Sequence, residues 1–269
     1  MGKRVGIIIP LKSKQVSDNW VATSALLEQT LHSIRNQTSV NVEVVICCHE
    51  KPLIAAESLS GYTLIECTLP LPVLNKDEII THYKQIDYIV DKTRKICMGL
   101  QHLKKKEVEY YFVLDADDLI HKELLSYVLK EADPNGYIIT KGYEYFVREQ
   151  RCIHKNHMDK ICGSTAIIHK KHVQIPEELI DSELWKNPWG RLSHGDIQDW
   201  FTQNSIPLKE IPFNALLYKL NHGQNASDEF RVGIKYKIKE KVKLALQGKR
   251  IDSQIVSAFS MHPTEKQTS

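Results

Sequence analysis

Asp115-Ala116-Asp117-Asp118 puts three carboxylates directly after an apolar run, Tyr110-Tyr111-Phe112-Val113-Leu114. Buried strands avoid charge, and like charges this close repel unless a cation or a partner relieves them. A hard divalent ion with oxygen ligands does so, and it often bridges to substrate phosphates. Ligands also bind at the ends of strands in α/β sheets. The segment therefore reads as a metal–diphosphate site. It also reads as a cap on a following helix, Leu119 to Ala132, because aspartate favours the positive helix end. This segment alone leaves both readings open.

The elements around it define a frame. Arg4 to Pro10 is a β-branched run stopped by proline, a buried strand. Asn19 to Gln37 carries apolar residues at helical spacing on one face. Asn41 to Cys48 and Tyr62 to Cys67 read as further strands, and Asp77 to Leu103 as one long helix or two. Strand and helix alternate, which predicts an α/β fold with a mainly parallel sheet covered on both faces. In the second half, Tyr137 to Val147 and Gly163 to His169 read as strands extending that sheet in mixed orientation. Trp185 to Gly190 reads as a loop, Asp196 to Gln203 as a short helix, and 231–250 as a basic, partly amphipathic helix before a polar tail.

Composition narrows the function. The 269 residues suffice for one large domain, and 42% are apolar, enough for a sizeable core. A net charge of +3 is too weak to argue for nucleic acid. No apolar run reaches the roughly 18 residues of a membrane span. Val5 to Ile9 is too short for a signal peptide, so a cytoplasmic location is expected. The six cysteines form no Cys-x-x-Cys pair and read as buried free thiols. The sequons at Asn36 and Asn225 mean little without a secretion signal.

Four segments in order resemble the GT-A glycosyltransferases, family 2 in particular. They are Val5-Gly6-Ile7-Ile8-Ile9-Pro10; Leu31-His32-Ser33-Ile34-Arg35-Asn36-Gln37-Thr38 with Val42-Glu43-Val44-Val45-Ile46; Phe112-Val113-Leu114-Asp115-Ala116-Asp117-Asp118; and Leu217-Tyr218-Lys219-Leu220-Asn221-His222-Gly223-Gln224-Asn225. The resemblance covers residues 4–225 and implies one GT-A (Rossmann-like) domain. Residues 1–118 would bind nucleotide-sugar, 119–230 would bind acceptor, and 231–269 would form the basic helix and loose tail.

The activity implied is sugar transfer from a nucleoside diphosphate donor to a hydroxyl acceptor, with inversion and with Mn²⁺ or Mg²⁺. By resemblance Asp117 and His222 are metal ligands, and an imidazole suits manganese. Asp115 contacts the ribose or the metal. Asp196 is the base that takes the acceptor proton, or else only a helix N-cap, with Asp199 the weaker alternative. Gly163-Ser164-Thr165 falls beside the sugar. Trp185 and Trp189 are acceptor-site aromatics or packing residues. Pro10 ends the donor-side strand.

Two departures stand out. The second strand ends in Cys47-Cys48-His49-Glu50, so Glu50, or His49, would take the place of the family's nucleobase-reading acids. Asp91-Lys92-Thr93-Arg94-Lys95 replaces an Arg-Asn pair, which makes Lys92 and Lys95 the candidates for the diphosphate. The acceptor implied is a glycan or glycolipid, as in cell-surface polysaccharide synthesis. Lys235 to Lys243 interleaved with Ile234, Ile238, Val242 and Leu246 fits either peripheral contact with the inner membrane face or packing on the core. A nucleotidyltransferase is the first rival, although Pro10-Leu11-Lys12-Ser13-Lys14 has lysines and no glycine. A non-catalytic carbohydrate- or nucleotide-binding module on the same fold is the second.

Overall fold

The computed structural model describes residues 3–39, 41–70, 82–222 and 234–261. In chain order the elements are β1 (Val5–Pro10), α1 (Trp20–Arg35), β2 (Val42–Cys48), α2 (Ala56–Leu59), β3 (Thr63–Glu66), α3 (His82–Lys104), β4 (Tyr110–Val113), β5 (Leu119–Ile120) and α4 (Leu124–Glu131). Then come β6 (Gly136–Ile138), β7 (Gly142–Phe146), β8 (Arg151–Lys155), β9 (Ala166–His169), α5 (Asp181–Leu184), α6 (Pro188–Arg191) and α7 (Ile197–Gln203). The last are β10 (Lys209–Glu210), β11 (Leu216–Leu220), α8 (Ile234–Gln247), β12 (Lys249–Arg250) and α9 (Ser253–Ala258).

The main sheet has the order β10-β6-β9-β4-β1-β2-β3. β3, β2, β1 and β4 run parallel, and β9 opposes both β4 and β6. This is the expected α/β architecture with a mixed, mainly parallel sheet. The continuous apolar character of β1 follows from burial on both faces. Ile7 and Ile9 join Leu27, Leu31 and Ile34 of α1 on one side. Ile8 joins Ile96, Leu100 and Leu103 of α3 on the other.

Three expectations need correction. The second-half strands do not all extend the main sheet. Tyr137 to Val147 breaks at Ile139 to Lys141 and feeds two sheets, β6 entering the main one. β7 joins a second sheet of order β12-β8-β7-β11-β5. The predicted helix from Leu119 starts late. Leu119 and Ile120 pair with Leu217 and Leu216 of β11, and α4 begins at Leu124. Tertiary pairing overrides the helical spacing there. The carboxylates of Asp115 to Asp118 therefore cap no helix, since Glu123 occupies the N-cap position of α4. Trp185 to Gly190 is also no simple loop: Pro188 opens α6, capped by the Asn187 side chain on the Gly190 N–H.

All six cysteines are buried and free, as expected. The long predicted helix is a single α3 over the described range, and its expected start at Asp77 lies outside the described residues. So do Gly223 to Asn225 of the histidine loop, 231–233 of the basic helix and the tail beyond Met261.

Candidate active site

β4 ends where Leu114 N–H donates to the Ile8 carbonyl (3.0 Å), and the chain then turns, Asp118 N–H reaching Asp115 O (3.2 Å). Ser164 fixes this turn from the segment before β9. Its Oγ accepts from Asp115 N–H (2.9 Å) and donates to Asp118 Oδ2 (2.6 Å). The Cys162 thiol donates to the same oxygen (3.1 Å). From α1, Thr30 Oγ1 holds the Ala116 carbonyl (3.0 Å). The three carboxylates are thereby separated. Asp118 points inward and is fully buried, and burial, reinforced by Asp117 and Asp115, pushes its pKa well above the usual carboxylate range.

Asp115 meets Lys92 of α3, with Nζ 2.6 Å from Oδ1. Burial works against the Lys92 charge, but the adjoining Asp115 carboxylate outweighs it and raises the lysine pKa. Gly163 lies over this pair. A Cβ there would stand 3.2 Å from Asp115 Oδ2 and 3.5 Å from Lys92 Nζ. Beside them opens a cavity of about 490 Å³ lined by Lys92, Gly163, Trp189, Ser193, His194 and Ile197, among others. His194 is held toward its neutral form by burial and by the Lys92 charge.

Asp117 meets His222. The His222 Nε2 lies 3.1 Å from Asp117 Oδ2, and the imidazole side chain is 5% exposed. Burial opposes the Asp117 charge, yet the adjoining His222 imidazole, with Lys219 behind, holds its carboxyl below the usual range. His222 is aimed by the turn after β11. Asn221 takes φ 60°, a left-handed conformation that asparagine tolerates, and its side chain donates to Glu240 of α8 (2.8 Å). Lys219 on β11 is buried against Gln29 Oε1 (3.1 Å), and burial lowers its pKa to about 8.

The Asp117–His222 pair fits a divalent metal. Adjacent ligands of an octahedral ion with bonds of about 2.1 Å lie roughly 3 Å apart, close to the separation found. Among the described residues no cluster of three or more His, Cys, Asp or Glu ligands forms. Water and substrate phosphate commonly supply the remaining positions of such ions.

The expected nucleobase end is arranged differently from the sequence reading. His49 is not available to read a base through its ring nitrogens. Nδ1 contacts the Cys67 carbonyl (3.1 Å), Nε2 contacts Asp91 Oδ1 (2.7 Å), and the side chain is 4% exposed. Lys95 is turned into the same buried network, donating to Asp91 Oδ2 (2.6 Å) and to the Leu11 carbonyl (2.8 Å). It anchors the chain leaving β1. Glu50 lies beside that chain and accepts from Lys14 N–H (2.8 Å). Pro10 is buried at the end of β1, in register with Cys47.

Asp196 is exposed at the start of α7, and its side chain makes no capping hydrogen bond, so the N-cap role considered for it is not taken up. Asp199 is paired with Lys160 (2.8 Å), which also donates to the Gly195 carbonyl. Trp189 lines the cavity, whereas Trp185 is outside it and 37% exposed. Sequence reasoning passed over His194, Lys219 and the tethering role of Ser164. A lysine inside the otherwise apolar Leu216–Leu220 stretch was the available signal for Lys219.

No family model matches the chain, and no curated protein matches it. Among solved structures it is similar to S. aureus TarS, with a TM-score of 0.45 and 11% identity over 96% of this chain; the match spans 43% of TarS. A Desulfovibrio desulfuricans G20 protein described as a nucleotide-diphospho-sugar transferase gives 0.40 and 8%, covering 91% of this chain and 97% of that one. A Bacillus anthracis protein described as a glucose-1-phosphate thymidylyltransferase, in complex with a sucrose, gives 0.41 and 10%, covering 88% and 99%.

Proposed function

We propose that this protein is a GT-A glycosyltransferase of the hexosyltransferase type, transferring a sugar from a nucleoside diphosphate donor to a glycan or glycolipid hydroxyl. The observation that carries the reading is the meeting of Asp117, in the turn between β4 and β5, with His222, just after β11, at ligand-to-ligand distance. Two distant segments are folded to bring an oxygen and an imidazole nitrogen together, two residues along the chain from Asp115, whose partner Lys92 lines the cavity.

In this reading Asp117 and His222 hold Mn²⁺ or Mg²⁺, which when bound neutralises charge growing on the leaving diphosphate. Lys92, partly exposed beside Asp115, adds a fixed positive charge next to the same phosphates. Pro10 and Glu50 flank the nucleoside, and Asp115 orients the ribose. Asp196 accepts the proton of the acceptor hydroxyl as its oxygen bonds the anomeric carbon and the carbon–oxygen bond to the diphosphate breaks, giving inversion. Trp189 offers an apolar face to the acceptor ring.

The test is release of nucleoside diphosphate from a panel of nucleotide-sugars, with Mn²⁺ and with chelator. Release from one donor, abolished by chelator and by Asp117→Ala, supports the reading. Intact donors throughout, with saturating metal and varied glycan acceptors, would leave the binding module in its place.

A further inference from the structure

Among the described residues, α8 packs on the protein through the side that carries Leu244. Leu244 packs in a buried cluster with Phe146, Ile153 and Leu220. Lys243 is bonded to the buried Glu144 (2.8 Å), and Arg151 donates to the Leu244 carbonyl (3.2 Å). At 100° per residue, the opposite face carries Ile238, Val242 and Leu246, four residues apart in one line. They are 56%, 52% and 79% exposed. Lys239 and Lys241 flank this line on its two sides and are exposed, and Lys249 and Arg250 continue the basic surface on β12.

A helix that buried its apolar stripe on the core would leave no such line in water. Here the core takes Leu244 instead, and the stripe with its lysine margins faces outward. An apolar ridge bordered by cations matches the boundary between anionic headgroups and acyl chains. A protein groove would match the same ridge only if its rim were acidic on both sides.

We propose that α8 is a docking surface for an anionic lipid bilayer, with Ile238, Val242 and Leu246 entering the acyl boundary and Lys239, Lys241, Lys249 and Arg250 meeting the headgroups. The Asn221–Glu240 bond ties this helix to the residue preceding His222, so docking brings the candidate site close to the membrane surface. The proposal stands apart from the transferase reading, and its test involves no turnover.

The experiment is flotation of the full chain with phosphatidylcholine vesicles, with and without phosphatidylglycerol. Binding is expected only to the anionic vesicles, and added salt weakens it. Leu246→Glu is expected to reduce it at least about tenfold, the scale of one buried leucine. Lys239→Glu with Lys241→Glu reduces it by about fivefold for each charge removed. Unchanged melting temperatures certify that these exposed substitutions leave the fold intact. Absence of binding to anionic vesicles at low salt overturns the proposal, as does binding that Leu246→Glu leaves intact. A lipid-free dimer that Leu246→Glu dissolves would assign the stripe to a second copy of the chain and also overturn it.

Discussion

His222 Nε2 sits 3.1 Å from Asp117 Oδ2, although the two residues are more than a hundred positions apart, Asp117 in the turn before β5 and His222 just after β11, the strand that pairs with β5. That contact has a measurable acid signature. The folded carboxyl of Asp117 titrates below its ordinary value of 3.8. Between the two values the unfolded chain binds more protons, so stability rises with pH there. The contribution is complete above the ordinary value and is lost as pH falls through the depressed one. Melting curves should show Asp117→Asn less stable than the parent by a constant amount above about pH 5, with the gap closing below about pH 4. A gap independent of pH would mean that the carboxylate is not held in its charged form by His222 and Lys219.

The buried network of His49, Asp91 and Lys95 predicts unequal costs for its two partners. Asp91→Ala leaves the 1% exposed Lys95 ammonium without its carboxylate and should cost about 3–5 kcal/mol in chemical denaturation. Lys95→Met leaves Asp91 beside His49 and should cost less. The same Lys95→Met variant should keep any nucleotide-induced rise in melting temperature, because the ammonium is spent on Leu11 and Asp91. Loss of that rise with the fold intact would return Lys95 to the diphosphate.

Gly99 lies within α3 against β1, and two effects compete there. Alanine gains about 1 kcal/mol of helix propensity over glycine. Its Cβ, however, would stand 2.5 Å from Ile8 Cγ2 in a filled core, and overpacking costs about 1–3 kcal/mol. Gly99→Ala should therefore lower stability by about 1 kcal/mol in urea denaturation. A gain would mean that Ile8 has room to move.

Asp196 and Asp199 separate by environment. Asp199 is committed to Lys160, whereas Asp196 makes no cap bond. Asp196→Asn should cut turnover by about 10²–10⁴ and leave donor binding unchanged. Asp199→Asn should change turnover by only a few fold. The opposite pattern would move the base to Asp199.

The parallel half of the fold was legible because strands buried on both faces are written as unbroken apolar runs, as in Val5–Pro10 and Tyr110–Val113. The second sheet was not. β7 reads as a strand, but nothing in its sequence says which sheet it joins, and β11 buries Lys219, a charge that makes a strand look solvated until its partner Gln29 is seen. In the site, only the resemblance linked Asp117 with His222, and the fold brings the two together. His49 and Lys95 were misread, because sequence shows a cation or an imidazole but not that Asp91 draws both inward. His194 lies among residues whose proximity to Lys92 arises only when α3 and the chain before α7 flank one cavity.

The most direct test of the central claim is melting temperature against a panel of nucleoside diphosphates, with and without Mn²⁺, for the parent chain and for Asp117→Ala and His222→Ala. A ligand confined to the folded state raises the melting temperature by mass action. The account predicts a rise with one nucleotide that requires Mn²⁺ and disappears in both variants. A nucleotide-induced rise of equal size without metal, or one surviving in both variants, would contradict a metal–diphosphate site built on Asp117 and His222.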